Sequence, residues 1–198
     1  MPRVVPDYKK QAKDTILDSA SELFFRGGYS TTSMDDIARR IGVTKGTIYI
    51  YFKSKEDVLY SVCNRNMKML QEALKNVNPE DFLDMGNRFF ETEMKMPDHV
   101  KFHWIFAMGE MESNPEIKNI LSKSYNDYVI LLKEKIDQLK LGKKISENTD
   151  SINLARILIA FHNGMLMSVM QGLPESTAVE LFREGMFSLL QSHYKTTG

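Results

Sequence analysis

Cysteine is almost missing from this chain: Cys63 is the only one in 198 residues, so no disulfide can form within it and packing alone must hold the fold. An excess of charge of either sign is missing too. The 26 basic and 26 acidic side chains cancel, which excludes a uniformly basic coat for polyanions and an acidic one for cations. No low-complexity run occurs, and 42% hydrophobic with 26% charged residues is a composition that buries a core and excludes extended disorder. Nothing at the N-terminus follows the charged, apolar and small-residue order of a secretory leader. The most apolar stretch, Leu154 to Met170, is interrupted by Arg156, His162 and Asn163, which makes it a poor lone membrane span. These absences point to a reducing, cytoplasmic setting without a membrane. Strand-like alternation and internal repeats are also missing.

What is present throughout is helical periodicity. Ile16, Ala20, Leu23 and Phe24 at i, i+4, i+7 and i+8 predict an amphipathic helix over about 8 to 26, stopped by Gly27-Gly28. Ser33 with Asp36 three positions on is a capping-box signal, and Met34, Ile37, Ala38 and Ile41 form the apolar stripe of a second helix that ends at Gly42. Thr44 caps a third helix of about eight residues, with Ile48 and Phe52 turned inward together with Val43. Two short helices joined by a tight turn and braced by a longer one make a DNA-reading unit.

The face opposite Ile48 and Phe52 carries Gly46 and Ile50, flanked by Thr47 and Tyr49. Solvation explains an exposed β-branched apolar residue poorly, whereas a thymine methyl in the major groove would be a partner for Ile50. Gly46 would let backbone approach closely. From Ile37 to Lys55 the basic residues are Arg39, Arg40, Lys45, Lys53 and Lys55, with no acid among them. A neutral chain binds a polyanion only through such a local patch, by neutralising phosphates and releasing counterions.

Ser54 caps a connecting helix over 55–78 that closes at Asn78-Pro79. Further helical segments are expected at about 80–96, 98–113, 115–140, 149–172 and 175–194, with breaks at Pro97-Asp98, Asn114-Pro115, Leu141-Gly142 and Gly172-Leu173-Pro174. The expected fold is all-α. Its expected division is a helix-turn-helix domain over 1–54, the connecting helix over 55–78 and a second helical domain over 79–198.

The N-terminal part resembles the TetR family of one-component transcriptional regulators over roughly residues 12 to 60. The matched positions include Ile16-Leu17-Asp18-Ser19-Ala20, Leu23-Phe24, Gly28-Tyr29, Thr32, Ile37-Ala38, Gly42-Val43-Thr44-Lys45-Gly46-Thr47-Ile48-Tyr49, Tyr51-Phe52 and Ser54-Lys55-Glu56-Asp57-Val58-Leu59. Ile41 stands where the family usually has alanine, and Ile50 where a larger polar or aromatic residue is common. The resemblance implies that Thr32, Ser33, Thr47, Tyr49, Tyr51 and Lys55 hold phosphates, with Thr44, Lys45, Gly46 and Ile50 nearest the base edges.

In the segment Ile152 to Met170 the apolar residues leave hardly any polar face. Such a helix must be covered on both sides, and in a domain this small one side calls for a second subunit. The next segment presents Val179, Phe182, Met186 and Leu190 at helical spacing. Together these segments resemble the last two helices of the same family, which pair with their symmetry mates as a four-helix bundle. The expected interface residues are Ile157, Phe161, Met165, Val179, Phe182, Met186 and Leu190, and Gly164 and Gly185 would permit close helix approach. A homodimer would place two reading helices roughly 34–36 Å apart and read a palindromic operator in double-stranded DNA.

Eleven of the 13 methionines follow residue 63, among many aromatic residues, and such walls adapt to varied apolar molecules. The resemblance implies an effector cavity in this half, with His103, Trp104, Tyr125, Tyr128, His162 and Asn163 as candidate lining for a small-molecule effector. His99 and His103 at i, i+4 are two imidazoles and do not make a metal site. No cofactor and no metal are expected. The function expected is a repressor released from its operator by a small apolar or aromatic effector. An activator or a ligand-independent regulator of the same family is the alternative. A helical enzyme using His103, Glu110 and His162 has no nucleophile motif, phosphate loop or complete metal set behind it.

Overall fold

Helix boundaries in the computed structural model, which describes residues 6–75, 81–98, 105–191 and 193, follow the stop signals of the chain. The helices are α1 (Pro6–Gly27), α2 (Met34–Arg40), α3 (Lys45–Tyr49), α4 (Lys55–Lys75), α5 (Phe82–Met94), α6 (Ile105–Met108), α7 (Pro115–Leu141), α8 (Ser151–Met170) and α9 (Glu175–Gln191). No strand occurs among the described residues, so the all-α expectation holds.

The chain divides into two compact units, Met1–Asn66 with Pro97–Ser124, and Met67–Met96 with Tyr125–Gly198. This differs from the division read off the sequence. The boundary falls inside α4 rather than after it, and the 79–198 domain gives up 97–124 to the first unit. The reason is packing: Ala107 and Ile117 are fully buried in the same cluster as Ile16, Phe24, Ile37, Ile48, Leu59 and Val62. Each large apolar side chain in this cluster contributes roughly 1.5–3 kcal/mol when removed from water.

Within the first unit α1 supplies Ile16, Leu17, Ala20 and Phe24 to the core, and the Phe24 ring lies 5.0 Å from that of Tyr29. Helix α2 ends as the glycine signal predicts. Gly42 has φ +72°, its amide donates to Arg39 O at 3.3 Å, and the Val43 amide donates to Ala38 O at 3.0 Å, the pairing of a Schellman ending. This ending turns Val43 outward, 37% exposed, so Val43 does not join Ile48 and Phe52 in the core as the periodicity suggested.

In the second unit α5, α8 and α9 pack around a stack of rings. Phe90 and Phe182 are 4.0 Å apart and nearly parallel, and Phe161 lies 5.3 Å beyond Phe182. Asp150 caps α8 by accepting from the Ile152 and Asn153 amides, both at 3.0 Å. By length and composition α8 is apolar enough to cross a bilayer, but the core helix of a globular unit has the same profile. Leu154, Ala155, Leu158 and Leu166 are buried here against their own unit. The expected helix over 98–113 is seen only in part, as α6 followed by turns, and residues 76–78 of the expected connecting helix lie outside the described residues.

Candidate functional site

The reading unit is held rigid by its own short-range hydrogen bonds. Ser33 Oγ accepts from the Asp36 amide at 3.2 Å, while the Ser33 amide donates to Asp36 Oδ2 at 2.9 Å, which completes the capping box seen in the sequence. The bonds from Ser33 hold the Asp36 carboxyl below its usual range. Thr44 Oγ1 accepts from the Thr47 amide at 3.2 Å and lies 2.9 Å from Thr47 Oγ1. Each cap of this kind is worth about 1 kcal/mol. Helix α3 has five residues, shorter than the eight expected, because the Tyr51 and Phe52 amides both return to Ile48 O and close the turn before a third helical turn can start.

Ile48 and Phe52 are buried, at 0% and 2% exposure, whereas Ile50 is 77% and Tyr49 46% exposed. Thr44, Lys45 and Gly46 are exposed as well, and Thr47 and Tyr51 are half-buried. The side chains expected nearest a base edge thus share one solvent-facing end of the first unit. Lys45 Nζ is 2.8 Å from Asp35 Oδ2, so one of its three N–H donors is directed at a carboxylate on α2.

Two expected phosphate ligands are placed otherwise. Thr32 is buried and its hydroxyl donates to Gly28 O at 2.9 Å. Lys55 turns inward: Nζ donates to Tyr29 O at 2.8 Å and to Thr32 O at 2.9 Å, and lies 4.2 Å from the centre of the Tyr29 ring. A motif does not reveal which way such a side chain leans. Ser33 remains exposed, with Oγ donating to Asp36 Oδ2 at 2.6 Å.

Of the candidate effector residues, the structure brings His162 and Asn163 into contact. His103 and Trp104 lie outside the described residues, Tyr125 is 42% exposed, and Tyr128 is half-buried. His162 and Asn163 come together, with Nδ1 of His162 3.3 Å from Asn163 Oδ1. The partner that the sequence reading missed is Glu93 of α5, whose Oε2 is 2.6 Å from His162 Nε2. Burial works against charge on the imidazole, but the Glu93 carboxylate and the hydrogen bonds that Glu93 and Asn163 accept outweigh it and raise the His162 pKa above 6.5. Rings of Phe90 and Phe182 stand edge-on to the imidazole, at 5.7 and 6.0 Å. One sequence signal could have found Glu93, an acid in phase with the apolar Phe82, Phe89 and Phe90 on the same helix.

The expected dimer residues separate. Phe182, Met186 and Leu190 are buried in their own unit, so they serve its core instead of a contact between subunits. Phe161, Met165 and Val179 are half-buried. Ile157 remains exposed at 47%, and with it stand Met167, Leu181 and Phe187 at 37%, 44% and 54%. Helix α9 has one buried apolar stripe and two large apolar residues outside it. The i, i+4 series 178, 182, 186, 190 turns to the core, and Leu181 and Phe187 turn away from it.

The family model described as "Bacterial regulatory proteins, tetR family" matches residues 16–62. The chain is 28% identical over 138 residues to the HTH-type transcriptional regulator YerO of Bacillus subtilis (strain 168), which covers 59% of this chain and 48% of that protein. It is 27% identical over 151 residues to the fatty acid metabolism regulator protein of the same organism, covering 73% of this chain and 75% of the relative. The chain thus spans about half the length of the first relative and three quarters of the second. A solved SmeT–triclosan complex shares the fold, with a TM-score of 0.76 and 20% identity over 94% of this chain and 93% of that one. The family match thus falls on the capped helix-turn-helix of residues 16–62, and the likeness of the whole chain to the solved structures is one of all-helical fold.

Proposed function

We propose that this protein is a cytoplasmic, homodimeric repressor that occupies a palindromic operator and leaves it when a small apolar or aromatic effector enters the second unit. The observation that carries the DNA-binding part is the exposure of Tyr49 and Ile50 on a doubly capped, five-residue α3 whose Ile48 is fully buried. A rigid mount with an apolar, outward probe suits a thymine methyl and costs little ordering entropy on binding. Gly46, Lys45 and Thr44 share that end, and Ser33, Thr47, Tyr49 and Tyr51 are the candidates for the flanking phosphates.

Support for the dimer comes from Ile157, Met167, Leu181 and Phe187, four large apolar side chains left in water on α8 and α9. A second copy would bury them by two-fold symmetry. Support for an effector comes from the aromatic and methionine content of the second unit around Glu93 and His162, and from the triclosan complex of a protein with the same fold. An effector acts only through its differential affinity for the DNA-competent and incompetent arrangements. Helix α4 holds residues of both units and is the element through which such a preference would pass.

The test is footprinting of the full chain on duplex from upstream of its own gene, over a salt series and followed by transcription in vitro. A protected palindrome, affinity falling steeply with salt and reduced transcript are expected. Salt-independent binding without a protected palindrome would remove the reading, and a raised transcript would replace repressor by activator.

A further inference from the structure

Resting on the DNA-binding reading, we propose that Lys55 is a positioning residue that sets the Tyr29–Ser33 turn, and with it the N-terminus of α2, against the start of α4, and that it does not bind phosphate. An ammonium has three N–H donors, and the geometry occupies all of them. Nζ of Lys55 lies 2.8 Å from Tyr29 O, 2.9 Å from Thr32 O and 3.4 Å from Ser30 O. The same charge stands 4.2 Å over the Tyr29 ring, a cation–π contact. No donor is left for a phosphate oxygen.

The neighbouring residue completes the joint. Tyr29, 3% exposed, donates its hydroxyl to Glu56 Oε1 at 2.9 Å, so consecutive side chains of α4 grip one residue from its carbonyl and its phenol ends. From the far side, the Ser30 hydroxyl donates to the Glu110 carboxylate. The turn so held leads directly into Ser33, the capping residue of α2, and the Thr32 amide is itself tied to Tyr29 O at 3.2 Å. Movement of the first turn of α4 is therefore carried to α2 through the polar bonds of Lys55 and Tyr29.

A phosphate ligand and a positioning residue predict different salt behaviour. Loss of one phosphate contact reduces the slope of log Kobs against log salt by about 0.9, because one fewer counterion is released. Loss of a positioning residue lowers affinity and leaves the slope alone. The experiment uses the full-length protein and its Lys55→Met and Lys55→Arg variants, titrated over a salt series with a duplex selected from random sequence by the parent. A fall in affinity of at least about tenfold, the size expected for losing even one of the three charge-assisted hydrogen bonds, with an unchanged slope in both variants supports the proposal. A slope shallower by nearly one in Lys55→Met, with parental affinity in Lys55→Arg, overturns it, since a guanidinium replaces an ammonium at a phosphate but spreads its donors in a plane and cannot converge them on one turn.

Hydrogen exchange of the Thr32 and Ser33 amides in the DNA-free proteins gives a readout that does not need DNA. Faster exchange at these two amides in Lys55→Met, with the α8 amides unchanged, supports the positioning role, and parental rates overturn it. Failure of the parent itself to select any duplex would instead count against the DNA-binding reading, and the exchange rates would still decide the role of Lys55.

Discussion

One methyl group added at Gly185 sets two effects of opposite sign against each other. Alanine in a helix interior is favoured over glycine by about 1 kcal/mol. A Cβ built on Gly185, however, lies 2.2 Å from Cζ and 2.8 Å from Cε2 of Phe161, where carbon atoms prefer a separation of roughly 3.5–4.0 Å. The ring must retreat, and it stands against Phe182 at 5.3 Å, which is itself stacked on Phe90 at 4.0 Å. Overpacking of this kind costs about 1–3 kcal/mol. The net expectation for Gly185→Ala is a loss of about 1 kcal/mol, or a Tm lower by about 2–4 °C for a chain of this size. Gly164 is the control, because among the described residues nothing beyond its own helix backbone lies within 4 Å of an added Cβ. In the monomer Gly164→Ala should raise Tm by about 2–4 °C from helix propensity alone. Calorimetry at several protein concentrations measures both, and the gain at Gly164 should shrink as dimers form if that face is covered by a partner. A Gly185→Ala protein that melts above its parent would refute the reasoning, since the ring stack would then be yielding freely.

Three further outcomes are expected. Ser33→Ala removes the cap of α2 and should cost about 1 kcal/mol in urea melts. The capping box also sets a pH dependence: the Asp36 pKa is lowered from 3.8, so its contribution is present above 3.8 and is lost as pH falls through the lower folded value, a trend that Ser33→Ala should weaken. The His162 pKa is raised from 6.5, so the Glu93–His162 pair contributes fully below 6.5 and its contribution is lost as pH rises through the folded value. Melts of the parent and His162→Gln across that range should converge toward alkaline pH, and parallel curves would show the pair to be inert. Lys45→Ala should relax sequence preference in selection from random duplexes, while Tyr49→Phe should weaken all sites alike and leave the dimer intact; unchanged operator choice in Lys45→Ala would mean that the groove-facing residues are assigned wrongly.

Much of the first unit was readable because its determinants are local. A serine followed three residues later by an aspartate, a glycine after a stripe of apolar residues and a threonine before a short helix each act within one turn of backbone. All three appear as the caps and the ending seen at Ser33, Gly42 and Thr44. Lys55, Thr32 and Glu93 were harder. Their roles depend on residues 26, 4 and 69 positions away, respectively, and for Lys55 and Glu93 no periodicity encodes such a separation. Thr32 is the nearer case, a hydroxyl that bonds back within its own turn and so is lost to the surface.

By itself the sequence determined the helical class and the reading unit with its caps, because helix signals and short motifs are properties of neighbouring residues. Only the tertiary structure decided which apolar residues of α9 enter the core, that residues 97–124 complete the first unit, and that Lys55 points inward. Apolar side chains carry no label for the surface they will meet, and a long flexible cation takes its direction from the carbonyls that the folded chain brings within its reach.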